Sequence, residues 1–139
     1  MAENCSLNYP TALILLEKKI KTGATNAQTM EKVQIKIAKN SHVKGIVLYY
    51  AKETLRNYLP QLIIEEKAIV TGEVYCIKNI ELKGSVFGTV YANNFIAKQF
   101  GGVYVNHIYN GIINAKKLPR QFSGLQIEKE SNTVAKWVQ

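Results

Sequence analysis

Two stretches of equal length, QIKIAKNSHVKGIVLY at residues 34–49 and QLIIEEKAIVTGEVYC at residues 61–76, superimpose without a gap when residue 34 is laid on residue 61. In that alignment Ile35, Ile37, Val43 and Val47 meet Leu62, Ile64, Val70 and Val74, and Gly45 meets Gly72. A second gap-free alignment lays residue 64 on residue 80. It puts Ile64, Val70, Gly72, Val74 and Tyr75 on Ile80, Val86, Gly88, Val90 and Tyr91, with small Ala68 on small Gly84. Two fainter copies follow. GTVYAN at residues 88–93 is echoed by GGVYVN at residues 101–106, and GIINA at residues 111–115 repeats the glycine-led segment, so rung boundaries blur beyond Phe95.

Within each copy, as in VTGEV at residues 70–74 and VFGTV at residues 86–90, apolar residues recur at every second position, the period of strands with one buried face. Each segment carries too few inward residues to build a core by itself. Copies of this length must therefore stack and share one, which is the logic of a solenoid. Coils of about 16 to 20 residues would lie on one another at the strand spacing of about 4.8 Å, with like side chains in columns. The expected core columns are Ile35, Ile37, Val43, Val47, Leu62, Ile64, Val70, Val74, Ile80, Val86 and Val90, and glycines are expected at corners. An antiparallel sandwich or barrel would also alternate, but it does not require aligned copies. No Asn-Gly or Asp-Gly turn joins the strands; the single Asn110-Gly111 comes late.

Outward from the repeats, residues 49–61 are an excursion from one coil: Ala51, Lys52, Glu53, Thr54, Leu55 and Arg56 favour helix until Pro60 stops it. Tyr49, Tyr50 and Tyr58, beside Lys52 and Arg56, offer an aromatic surface, although packing on the solenoid flank is the commoner use of such a loop. At the amino end, residues 9–16 predict a strand covering the first coil, followed by a polar stretch at residues 22–31. At the other end residues 118–120 begin an irregular segment, and residues 135–138, with the lone Trp137, form an apolar cap.

The totals agree with one domain: 139 residues, 47% apolar and 20% charged. The longest aliphatic run, residues 12–16, is far below the roughly 20 residues that cross a bilayer, and no signal peptide opens the chain. A membrane anchor upstream would leave no trace here, so cytoplasmic and membrane-associated locations both stay open. Cys5 and Cys76 have no metal-site or CxxC spacing; Cys76, within VYCI, is expected as a small buried hydrophobe. The net charge of +8 favours acidic partners. Its lysines are dispersed except at Lys18, Lys19 and Lys21 and at Lys116, Lys117 and Arg120. Lys18, Lys19, Lys116, Lys117 and Arg120 are the candidate contacts for a polyanion or a membrane surface.

IVTGEVY at residues 69–75, followed by LKGSVFGTVYANNFIA at residues 82–97, resembles the bactofilins, bacterial polymer-forming cytoskeletal proteins. The likeness lies in an apolar-x-Gly-x-Val-x-Gly-x-Val pattern that thins out over residues 35–115. It implies an all-β, right-handed parallel β-helix; the residues themselves predict coils over residues 34–117 with short capping segments at both ends, a lead-in over residues 1–33 and a cap over residues 118–139. It also implies a non-enzymatic scaffold that polymerises end to end without nucleotide, often at the membrane. The expected partners are copies of itself, in a homo-oligomer or filament, and envelope or membrane-associated proteins, not nucleic acid. Leu13 and Leu15 at one end, and Ile112, Ile113 and Trp137 at the other, are the candidate self-association residues. The excursion and the structured-looking ends depart from the family pattern, and a member with covered ends would stay a monomer or dimer.

The residues supply little for catalysis. His42 and His107 are the only histidines, and neither has a carboxylate or cysteine beside it. IAKNSHVKG at residues 37–45 faintly resembles the hexapeptide repeats of left-handed β-helical acyltransferases, where either histidine would act as base. The hexads do not continue, and the β-helical carbonic anhydrases would need three zinc-binding histidines. Adjacent Glu65 and Glu66 point to opposite faces of a strand, which argues against a paired acid and base. No catalytic residue, metal or cofactor is expected.

Overall fold

The computed structural model describes residues 1–17, 34–52, 58–118, 122 and 124. The chain forms strands β1 (Ser6–Glu17), β2 (Ile35–Ile37), β3 (His42–Ala51), β4 (Leu62–Ile64), β5 (Ile69–Leu82), β6 (Ser85–Gln99), β7 (Gly102–Val105) and β8 (Ile112–Ile113), then a 3₁₀ turn, Ala115–Lys117. No α-helix occurs among the described residues. All pairings are parallel except that of β6 with β7.

The repeat is also the strand register. β2 lies on β4 as Ile35 on Leu62 and Ile37 on Ile64, and β3 lies on β5 as Val43 on Val70, Gly45 on Gly72 and Val47 on Val74. β5 then lies on β6 as Val70 on Val86, Gly72 on Gly88 and Val74 on Val90. The result is a curled parallel sheet in which the expected columns stack and bury together with Tyr49, Ala68, Cys76 and Leu82. Ile35 and Val90, at the margins, are only partly buried.

Four expectations need correction. The second alignment does not reach β4, where Leu62 pairs with Ile80 and Ile64 with Leu82. The cause is a corner of two residues, Lys83 and Gly84, where the preceding pass has four at positions 65–68; only Gly84 fits there, against the carbonyls of Ala68 and Glu65. Next, the excursion begins later than residue 49, because β3 continues through Ala51 and buries Tyr49; residues 53–57 of that loop lie outside the described ones. The copy at residues 101–106 is not a parallel rung. It is β7, returning antiparallel along Ile96–Gln99 of β6 through the two-residue turn Phe100-Gly101, which is too short for a parallel crossover. Finally, the repeated glycines lie inside strands rather than at corners.

Gly45, Gly72 and Gly88 share one column and have φ of +134°, +146° and +156°. A Cβ on Gly72 would overlap the Gly45 carbonyl oxygen, and one on Gly88 would overlap that of Gly72. Both the backbone conformation and the close approach thus require glycine. Beside the apolar columns runs an amide ladder. Gln61 N–H donates to the Asn79 carbonyl at 2.9 Å, Asn79 N–H donates to Gln61 Oε1 at 3.3 Å, and Asn94 Nδ2 donates to Asn79 Oδ1 at 3.0 Å. Residues 1–5 are pinned on the first pass: the Met1 amine donates to the Lys36 carbonyl at 2.9 Å, and Ser41 Oγ donates to that of Ala2 at 2.8 Å.

Gly72→Ala combines strain with a backbone clash and should lower unfolding stability in urea by about 3 kcal/mol or more. Gly101→Asn, at a positive φ with open space around it, should change it by less than about 1 kcal/mol.

Candidate functional site

The stack of strands ends in two chemically different surfaces. At the amino end β1 pairs with β3 along one edge, and no described strand lies along the other. Leu13 and Leu15 pack against the core, whereas Ile14 and Leu16 are 54% and 58% exposed. The candidate contacts at this end are therefore corrected by one position each: the strand period turns the expected pair inward and its neighbours outward. The start of this edge is blunted, because the register slips between Leu7 and Thr11 and Pro10 in the slip has no N–H to offer a further strand.

At the other end Ile112 and Ile113 pair with Ser85 and Val86 and stay exposed. Asn114 Oδ1 caps the 3₁₀ turn by accepting from Lys116 N–H at 3.1 Å. Leu118 covers Gly88, and Lys117 Nζ stands 4.1 Å from the centre of the Phe87 ring, while Lys116 is exposed. Lys18, Lys19, Arg120 and Trp137 lie outside the described residues, as do the polar stretch at residues 22–31 and the cap at residues 135–138. The aromatic surface loses Tyr49 to the core but keeps exposed Tyr50 and Tyr58. On the flank Tyr75 and Tyr91 stack in register, ring centres 6.2 Å apart.

A polar staple joins three of the strands. The buried Tyr49 hydroxyl on β3 donates to Glu17 on β1, and Lys78 Nζ on β5 donates to the same carboxylate at 2.9 Å. The Lys78 hydrogen bond first, then that from Tyr49, holds Glu17 below the ordinary carboxylate range, while burial and then Glu17 push Tyr49 upward. Its sequence signal is Lys78 itself, which has the same strand parity as inward Val74 and Cys76. The histidines are apart in the chain and differently engaged: His42 Nε2 is 3.1 Å from Thr71 Oγ1, and His107 lies beside the Tyr104 ring. Glu65 pairs with Lys36 at 2.8 Å and Glu66 with Lys39 at 3.5 Å. Comparison with protein-family models, curated proteins and solved structures finds no match, so geometry alone carries the functional reading.

Glu17 has a lowered folded-state pKa, so its stabilisation is present above the ordinary carboxylate value and is lost as pH falls through the lowered one. Glu17→Gln should remove that part of the acid sensitivity in urea unfolding followed against pH. Lys78→Met should cost about 1–2 kcal/mol at neutral pH, discounted for the partial exposure of Glu17. Burial pushes the Cys76 thiol up to about 11; an aromatic disulfide reagent at neutral pH should label Cys5 readily and Cys76 only as the protein unfolds.

Proposed function

We propose that this chain is a bactofilin-like, right-handed parallel β-helix acting as a non-enzymatic scaffold, and that it associates with copies of itself through the edge of β1 along which no described strand lies. The observation that supports this reading most is the continuity of the parallel ladder. Val43, Val70 and Val86, with Gly45, Gly72 and Gly88, repeat one register from strand to strand, and β1 adds one more strand in the same direction. A ladder whose last strand has no described strand beyond it, beside exposed Ile14 and Leu16, is a template for a further strand. Contacts of this kind that do not close on themselves give filaments, whereas self-complementary ones give dimers.

Sedimentation velocity and negative-stain microscopy test the proposal. Species larger than the monomer should form as concentration rises. Replacing both Ile14 and Leu16 by lysine, which removes nothing from the core, should return the protein to monomer with its thermal stability nearly unchanged. A wild-type particle that stays strictly monomeric at high concentration sinks the self-association.

A further inference from the structure

The β6–β7 hairpin has a tip that a purely structural turn would not need. Phe100 and Gly101 form it, both with positive φ, +47° and +77°, a conformation that Asn-Gly adopts readily and a bulky aromatic does not. The ring receives no packing in return, since Phe100 is 98% exposed. An unfavourable backbone that presents an apolar side chain to water points to a contact with something outside the chain. The strand behind the tip behaves alike: Val103 and Val105 alternate with Tyr104, yet all three are exposed, so both faces of β7 present apolar side chains to water. Ile108, Tyr109, Ile112 and Ile113 extend the exposed apolar set.

Charge selects the occupant. No acidic residue lies between Glu81 and Glu128, while Lys83, Lys98, Lys116, Lys117 and Arg120 do; Lys83 pairs with Glu81 at 2.8 Å, whereas Lys98 is exposed opposite Val103 in the hairpin ladder and Lys116 is exposed beyond Ile113. A nucleic acid would use rings for stacking and has little use for the aliphatic side chains of Val103, Val105, Ile108, Ile112 and Ile113. A bilayer interface takes both kinds, with aliphatic and Phe side chains at the acyl boundary, Tyr among the head groups and Lys beside anionic lipid.

We propose that the β6–β7 hairpin and the segment through Ile113 dock on an anionic membrane surface, Phe100 entering the acyl boundary while Lys98 and Lys116 face the head groups. This surface is separate from the β1 edge, so it stands or falls independently of self-association. The test is co-sedimentation of the full chain with vesicles of phosphatidylcholine alone and of equimolar phosphatidylcholine and phosphatidylserine. The wild type should pellet with the anionic vesicles, less as salt rises, and little with the neutral ones. Phe100→Asn suits the turn better than phenylalanine, so its melting temperature should hold or rise while its partitioning falls by about tenfold or more; Phe100→Trp should keep binding. A wild type that ignores anionic vesicles, or a Phe100→Asn variant that pellets equally with them, overturns the proposal. So does a lipid-free oligomer that Phe100→Asn dissolves, which assigns the hairpin to a second copy, or binding to single-stranded RNA in place of vesicles.

Discussion

Parallel strands paired in register lie about 4.8 Å apart, so each residue of one pass sits directly on its partner in the next. That spacing decides what each column tolerates. Valine over valine fills it with methyl contacts at Val43, Val70 and Val86. Amide over amide satisfies donors and acceptors along Gln61, Asn79 and Asn94, where any member without a partner would bury an unpaired polar group. In the Gly45, Gly72 and Gly88 column the backbones bend so closely together that no side chain is admitted. Charge cannot repeat in such a column without repulsion, and the inward Lys78 is accordingly met by an acid and a phenol from two other strands.

Equal column contents in successive passes leave a trace in the sequence, and that is why the register of β3, β5 and the first part of β6 was legible there residue by residue. What escaped has the opposite property. The two-residue corner at Lys83 and Gly84 changes the offset without changing the pattern, so Ile64 matches Ile80 in sequence but pairs with Leu82 in space. GGVYVN carries the same composition as a rung, yet the direction of its strand is set by the length of the turn before it. At the site, alternation alone does not say which parity of β1 faces in. Leu13, Ile14, Leu15 and Leu16 are all apolar, and only the pairing with β3 turns Leu13 and Leu15 toward the core. The polar staple was missed because its members are far apart in the chain and meet only through the stacking.

The staple and the pinned amino terminus bear on one another. Residues 1–5 tie to the pass below through Lys36, Lys39 and Ser41, and Glu17 at the far end of β1 ties to Tyr49 and Lys78. β1 is thus fastened at both ends. An edge strand fastened in this way does not fray, and its outward backbone groups keep the spacing that a further strand would need. The slip at Asn8, Tyr9 and Pro10 confines that opportunity to Thr11 and the residues after it.

The opposite end is made differently because the ladder stops there. After Ile96 and Ala97, which are buried, the tight turn reverses the chain, and among the described strands β7 pairs with β6 alone, its Tyr104 ring beside His107. A two-stranded ribbon is marginal in water, and the turn and outer strand of this one carry Phe100, Val103, Tyr104 and Val105, all exposed. No acidic residue follows Glu81 before Glu128; Glu81 itself pairs with Lys83 at 2.8 Å, and Lys98 and Lys116 stay exposed. One end therefore offers backbone to a strand and the other offers apolar side chains among cations, and two surfaces of such unlike chemistry are not complementary to each other. Association by the first leaves the second free for a different kind of partner.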